Sequence, residues 1–262
     1  MRIGIVGTES SHVDHIVRYF NVEHRADDAR IVGVAESSRD VGVPEFSARD
    51  LVGAVDAVII ADRDGRHHAA QAVPFLRAGI PTFVDKPLAT TVRDAGAIVR
   101  VAEKTGTPLT SFSALRWHPL FTELGEPSPT TVVTTGPVDP ASPYAGICFY
   151  GIHPVELALI LAKGEVSDVH VRRVPGAIVG SATVGECAVV VNLVQPSEKP
   201  VPFHVMFCTD TAVEAVELPL GPDYLHPGLD VFVDMVRTGK PPVSYENLLR
   251  PVRFLAAIAA VL

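Results

Sequence analysis

The feature that most constrains this chain is a set of five short, unbroken apolar runs in its first half, separated by segments with helical spacing. RIGIV is ended by Gly7, IVGVA runs from Ile31 to Glu36, and DAVIIA spans Asp56 to Ala61. PTFVDKP closes on Pro87, and PLTSFSA follows Gly106. Between them Val13, Ile16, Val17 and Phe20 fall on one helical face, and AAQAVPFLRAG reaches Gly79 where a helix stop belongs. A third helix, VRDAGAIVRVAEKTG, has Thr90 or Thr91 as its cap and stops at Gly106. Strands that are apolar on both sides need helices on both faces of a parallel sheet, and right-handed crossovers make that sheet doubly wound. Residues 1–117 are therefore expected to form an α/β, Rossmann-like domain.

After His118-Pro119 the pattern changes to the alternation of strands: TTVVTTG, VSDVHVRRV, GECAVVVNLV, PFHVMFCTD and TAVEAVELPL. A helix, GIHPVELALILAKG, interrupts them early, and LDVFVDMVRTG and ENLLRPVRFLAAIAAVL close the chain as helices. Strands with no helix between them pair antiparallel. Residues 118–262 are thus expected to be an α+β domain with a mostly antiparallel, open-faced sheet and C-terminal helices. LGEPSPTT is the one linker-like segment.

Composition excludes several kinds of partner. The 262 residues are 47% hydrophobic and 20% charged, enough for a packed core and unlike a disordered chain. With 22 Lys and Arg against 30 Asp and Glu, a net charge of −8 offers no general attraction to nucleic acid or to an anionic membrane surface. No apolar run approaches the roughly 18 residues of a membrane span. Cys148, Cys187 and Cys208 are widely spaced and read as buried small hydrophobes of a reducing compartment. MRIGIVG enters a strand directly, without a leader pattern, so a cytoplasmic protein acting on a small molecule is expected. The adjacent His67 and His68 cannot chelate from one helix face, and no metal site is expected.

A dinucleotide, if bound, would lie at the turn after the first strand, where backbone N–H groups and a helix start face its pyrophosphate. A Gly-x-Gly-x-x-Gly turn would here read Gly7-Thr8-Glu9-Ser10-Ser11-His12, so only the first glycine stands. Thr8, Ser10 and Ser11 can donate hydroxyl hydrogen bonds instead, while Glu9 adds a negative charge. The same six residues also read as the capped start of an ordinary helix. Glu36, ending the second strand, can accept both ribose hydroxyls of an adenosine and so favours NAD; Ser37, Ser38 and Arg39 could instead accept the 2′-phosphate of NADP. Lys86 stands at the carboxyl edge of the sheet, where its ammonium could hydrogen-bond a carbonyl or hydroxyl oxygen, and a cis Pro87 would hold the turn that aims it. Arg116, Trp117 and His118 lie where the chain crosses between the expected domains. Arg116 suits a substrate carboxylate or phosphate, or an acidic partner across that boundary.

The segment from Val55 to Gly106 resembles, nearly position by position, the Gfo/Idh/MocA family of nicotinamide-dependent oxidoreductases. Asp56 to Ala61 matches a D-x-V-x-I-A-T strand, His67 or His68 a loop histidine, Ala78-Gly79 a helix end A-G-K, and Asp85-Lys86-Pro87 a strand end E-K-P. The resemblance extends to LRWHP (115–119), to GIHPVE (151–156) and to the tail VFVDMVRTGKPPVSYENLLRPVRFLAA. It implies a cofactor domain in which Ala61, Asp62, His67, Asp85 and Lys86 join the Gly7–His12 turn and Glu36 around NAD or NADP. It also implies a second domain whose sheet helps form a substrate pocket or a dimer interface. His153 matches the histidine of the family's G-x-H-x-x-D segment, which relays the substrate hydroxyl proton. The family's aspartate four residues earlier is Phe149 here, so Tyr150 or Tyr144 substitutes, the substrate supplies the group, or alcohol oxidation is lost. Arg116, Trp117, Tyr144 and Glu156 are then the expected substrate contacts. Asp62, Arg63 and Asp64 replace small hydroxyl and proline residues of the family.

The expectation is hydride transfer between nicotinamide and a small hydroxy or oxo substrate of sugar or polyol type, with Lys86, His153 and Tyr150 as the catalytic groups. The alternatives are a non-catalytic relative that binds a small ligand as a sensor or accessory protein, and an enzyme that uses the cofactor without net oxidation or uses none. An exposed antiparallel sheet implies a homo-oligomer, a dimer or higher.

Overall fold

Runs that are apolar on both sides should pair in the middle of a layered sheet, and the five in the first half do. In the computed structural model, which describes residues 1–262, they are β1 (Arg2–Val6), β2 (Arg30–Ala35), β3 (Ala57–Ile60), β4 (Thr82–Asp85) and β5 (Leu109–Phe112). All pair in parallel, in the order β2-β1-β3-β4-β5. Beyond β2, Val34 N–H donates to Pro44 O at 2.9 Å and Phe46 N–H donates to Val34 O at 2.8 Å. Counting that bridge as a strand gives the 3-2-1-4-5-6 order of a dinucleotide-binding sheet, with the third strand reduced to one residue. The order reverses beside β1, and ligands of such sheets bind outside the strand ends at that reversal.

The helices of this unit are α1 (His12–Val17), continued by a π-helical turn over Arg18–Val22, then α2 (Ala48–Ala54), α3 (His68–Arg77) and α4 (Val92–Thr105). Thr91, not Thr90, caps α4 by accepting the Asp94 N–H at 3.1 Å, and Gly106, at φ +67°, ends it. The sequence reading had no helix at α2. Seven residues with one buried side chain, Leu51, carry no period; the local signal is Ser47, whose Oγ accepts the Asp50 N–H at 3.1 Å.

In the second unit a turn over Ala114–Trp117 and the short α5 (Pro119–Thr122) precede β6 (Thr131–Pro137) and α6 (Cys148–Leu161). The strands β7 (Val166–Val174), β8 (Ala177–Val184), β9 (Cys187–Val194), β10 (Phe203–Cys208) and β11 (Val213–Leu218) follow. The sheet order is β11-β10-β6-β9-β8-β7, antiparallel except for β6 with β9. α6 is apolar nearly all round because it is buried nearly all round, and Arg250 caps its end through Leu159 O at 3.1 Å and Ala162 O at 3.0 Å. The sequence pattern does not mark β8 as a strand. Its AIVGSATV is small and interrupted by Gly180, yet a Cβ there would stand 2.7 Å from Ile258 Cδ1, so the glycine is a packing requirement and not a break. Two-residue turns, Pro175-Gly176 and Gly185-Glu186, join it to both neighbours.

The last helices are α7 (His226–Thr238) and α8 (Tyr245–Ala259). The compact units are Met1–Phe112 with Leu225–Leu249, and Ser113–Tyr224 with Arg250–Leu262. The chain therefore passes between units at 112/113, 224/225 and 249/250, where the sequence pattern suggested one break at 117/118. In the first unit Phe232 of α7 stands 5.8 Å from Phe83, and Tyr19 donates to Asp230. In the second, Leu255 and Ile258 of α8 are buried in the core under the sheet. Periodicity reveals a helix but not which sheet it covers. No helix is long and apolar enough to cross a membrane.

Candidate functional site

In the first unit the candidate groups gather at the carboxyl ends of β1 to β4. Gly7 has φ +81°, and a Cβ on it would lie 2.6 Å from Asp62 Cα, so the turn after β1 closes against the loop after β3 only because this residue is glycine. The missing glycines are compensated from the segment after β2. Thr8 is fully buried, and its Oγ1 accepts the N–H groups of Ser38 at 2.8 Å and Arg39 at 3.3 Å. Arg39 donates from Nε to Thr8 O at 2.8 Å, from Nη2 to Ser10 O at 3.4 Å and from Nη1 to Asp14 at 2.8 Å. Two expectations change accordingly. The Thr8 hydroxyl is enclosed and cannot face a pyrophosphate, and Arg39 is engaged by the turn instead of awaiting a 2′-phosphate. Ser10 Oγ accepts the His12 N–H at 3.2 Å, while Glu9 and Ser11 are exposed.

Glu36 ends β2 at φ +51°, exposed, and accepts from Gln71 Nε2 at 2.6 Å. The same amide nitrogen donates to Asp62 Oδ2 at 2.8 Å. Two carboxylates on one NH₂ group fix the orientation of the amide, and Gln71 Oε1 is left buried with no hydrogen-bond partner. Asp62 also accepts the Asp64 N–H at 2.8 Å and lies 3.2 Å from Nδ1 of the exposed His67. Ala61 contributes backbone alone, its N–H donating to Val6 O at 2.8 Å. His68 is fully buried with its ring nitrogens 2.8 Å from Pro87 O and 2.9 Å from Asp62 O, so it ties the loop after β3 to the turn after β4.

Asp85 ends β4 and Lys86 follows it, both buried, and the Lys86–Pro87 peptide is cis. Burial alone would raise the Asp85 carboxyl, but His12, 2.7 Å away, and Lys86 overcome it and hold the group well below the usual carboxylate range. Burial pushes the Lys86 ammonium down; Asp85 opposes this and Arg63 adds to it. A buried amine with weakened hold on its proton can exchange it with a substrate oxygen.

The second unit carries the other group of candidates, built from the turn after β5 and from α6. Ser113 Oγ lies 2.6 Å from His153 Nδ1, and its N–H donates to Glu156 Oε2 at 2.7 Å. Arg116 Nη1 donates to Glu156 Oε1 at 3.1 Å, and its guanidinium stands 5.5 Å from the Trp117 ring. Glu156 is buried, which pushes its carboxyl up against the pull of Arg116 and of Ser113 N–H. Arg116 was read as suiting a substrate anion or an acidic partner, and the structure supplies an acidic partner, Glu156, within the same unit. Three residues apart on α6, His153 and Glu156 do share a face, and both meet Ser113. Phe149 is buried between Tyr144, 5.2 Å away, and the more exposed Tyr150, 4.6 Å away edge-on. The sequence reading missed Gln71, Ser113 and the bracing by Arg39. Ser113 had one local signal, its Oγ capping the turn it precedes.

Residues 1–112 match the model of Gfo/Idh/MocA, an oxidoreductase family with an NAD-binding Rossmann fold. An inositol 2-dehydrogenase of Cereibacter sphaeroides is 32% identical over 128 residues, which are 44% of this chain and 37% of that protein. One of Corynebacterium glutamicum is 34% identical over 119 residues, 41% of this chain and 34% of that protein. The chain thus matches little more than a third of the length of these curated relatives. A solved UDP-N-acetylglucosamine 3-dehydrogenase from Acidithiobacillus ferrooxidans superimposes with a TM-score of 0.80 at 19% identity, covering 100% of this chain and 96% of that one. A protein of gentamicin A biosynthesis, solved in complex with NAD, gives 0.82 at 14% identity over 98% and 92%. At these identities the solved structures share the fold.

Proposed function

We propose that the chain, whose first 112 residues match the Gfo/Idh/MocA oxidoreductase family, belongs to that family and is an NAD(P)-dependent oxidoreductase. Its substrate is a small hydroxy or oxo compound of the sugar or polyol kind, a choice supported by the N-terminal likeness to inositol 2-dehydrogenases. The observation that carries the reading is the reversal point of the first sheet, where Gly7 meets Asp62 and the buried Lys86 follows a nearby strand.

The residues present fit a dinucleotide. Glu36 and Asp62, bridged by Gln71 Nε2, form a pair of acceptors suited to the hydroxyls of a ribose. A 2′-phosphate would meet the same acceptors, and Arg39 is engaged elsewhere, so NAD is preferred. Once bound, the nicotinamide supplies the hydride donor or acceptor. Ser11 and the backbone of the turn hold the pyrophosphate, Glu36 orients the adenosine ribose, and Lys86 donates to the reacting oxygen and exchanges its proton. The protein works in the cytoplasm as a homo-oligomer.

Fluorescence titration with NADH and with NADPH tests this. Saturable binding, tighter for NADH, is the expected result. No binding of either at millimolar concentration would overturn the reading in favour of a non-catalytic relative.

A further inference from the structure

Gln71 is a buried residue of α3 whose side chain reaches the ends of two strands of the first sheet. Its Nε2 donates to Glu36 Oε2 at 2.6 Å, at the carboxyl end of β2, and to Asp62 Oδ2 at 2.8 Å, in the loop after β3. An amide NH₂ group has two protons, and both are thereby given to carboxylates. The opposite orientation would set Oε1, an acceptor, against the same two oxygens, so only the NH₂ end can lie between them. Without that donor, two like charges on neighbouring loops would repel each other. The two carboxylates are not equivalent. Asp62 is anchored in its own loop by the Asp64 N–H at 2.8 Å and stands 3.2 Å from His67 Nδ1. Glu36 is exposed, at a φ of +51° that residues with a side chain rarely adopt, and its carboxylate is held by Gln71. The bond takes one oxygen, Oε2, and leaves the other to a ligand.

We infer that Gln71 is a positioning residue for cofactor choice, which carries the fixed place of Asp62 through its NH₂ group to the Glu36 carboxylate and so presents that carboxylate to a vicinal diol. The inference rests on the dinucleotide reading above, and it assigns the preference for NAD to a bridge of three residues instead of to Glu36 alone. A glutamate loose in solvent must give up its rotamer freedom when a ribose binds. One already tied down has done so, and the bridge therefore raises affinity by preorganisation. It also keeps two negative charges together against a 2′-phosphate, an arrangement that neither loop would hold by itself. The ligand class that fits is an unphosphorylated ribose, whose two neighbouring hydroxyls each have a proton to give to an acceptor.

Titration of the full chain with NADH and with NADPH tests the inference, in the wild type, in Gln71→Met, in Glu36→Ala and in the double variant. Methionine has the length of glutamine without its donor. Gln71→Met should raise the NADH dissociation constant about tenfold, the worth of a charge-assisted hydrogen bond, while NADPH changes little, so the ratio of the two narrows. In the Glu36→Ala background the same substitution should add nothing, because Gln71 acts through Glu36. A residue that merely packs α3 would weaken both cofactors alike, and would do so in either background. Gln71→Asn keeps the amide but withdraws it by one methylene, and it carries the same expectation should Gln71→Met fail to fold. An unchanged ratio in a folded variant overturns the inference, as does an equal loss with and without Glu36, and either result leaves the dinucleotide reading standing. A wild type that binds neither cofactor refutes that reading and the inference with it.

Discussion

His12 Nδ1 lies 2.7 Å from Asp85 Oδ2, joining the start of α1 to the end of β4 at the position where a dinucleotide turn would have its third glycine. Asp85 keeps its charge in a buried place because His12 and Lys86 outweigh its burial. Its carboxyl is held lower in the fold than in the unfolded chain, so the stability it contributes is full above the ordinary carboxylate value of about 4 and is lost as pH falls below that. Asp85→Asn should cost about 3–5 kcal/mol at neutral pH, since it leaves the buried Lys86 without its counter-charge, and should flatten the acid side of the stability profile. Urea unfolding across the acid range measures both, and a variant as stable as the wild type would show that the pair contributes nothing.

Lys86 has the opposite sign. Burial lowers its proton affinity in the fold, so at neutral pH the charged amine costs stability, and the cost is relieved as pH rises past the lowered value toward that of a free lysine. Asp85 retains His12 when the amine is removed, so Lys86→Met should unfold no lower than the wild type. Its kcat should fall by about 10²–10⁴, the usual worth of a positioned acid or base, with NADH affinity nearly unchanged. Unchanged turnover would end the assignment of Lys86 to the reacting oxygen.

Gly7 and Gly79 share a left-handed backbone, at φ +81° and +77°, but differ in surroundings. A Cβ on Gly79 meets nothing within 4 Å, whereas one on Gly7 meets the Asp62 backbone at 2.6 Å. Gly79→Ala should cost about 1 kcal/mol, the backbone preference alone. Gly7→Ala should cost more and should also abolish NADH binding, because the reversal point must open to admit the methyl group. Thermal melts paired with NADH titration separate the two, and equal losses would mean that the close approach is unimportant.

Much of the first sheet was legible because strands buried on both faces leave unbroken apolar runs, and α4 because Thr91 and Gly106 act on their own neighbours. β8 was not, since Gly180 looks like a break until Ile258 is known to lie over it. The candidate residues were legible as types and positions, but their partners were not. Ser113 and His153 are 40 residues apart and His12 and Asp85 are 73 apart, and nothing local in either pair names the other. Arg116 and Glu156 show the consequence: each suits a substrate by its type, and only the fold reveals that they pair with one another.

Arg39 and Glu36 give opposite predictions for cofactor choice, although both follow β2. The Arg39 guanidinium holds the carbonyls of Thr8 and Ser10 and the Asp14 carboxylate, so it supports the turn that any dinucleotide needs. Arg39→Ala should therefore weaken NADH and NADPH by similar factors. Glu36 instead presents a carboxylate that accepts ribose hydroxyls and repels a 2′-phosphate. Glu36→Ala should weaken NADH by about tenfold, the worth of a charge-assisted hydrogen bond, while NADPH is held no worse, so the ratio of the two dissociation constants narrows. Fluorescence titration of both variants with both cofactors reads all four changes. Selective loss of NADPH in Arg39→Ala would show that the guanidinium leaves the turn to bind the phosphate, and the preference for NAD would then be wrong.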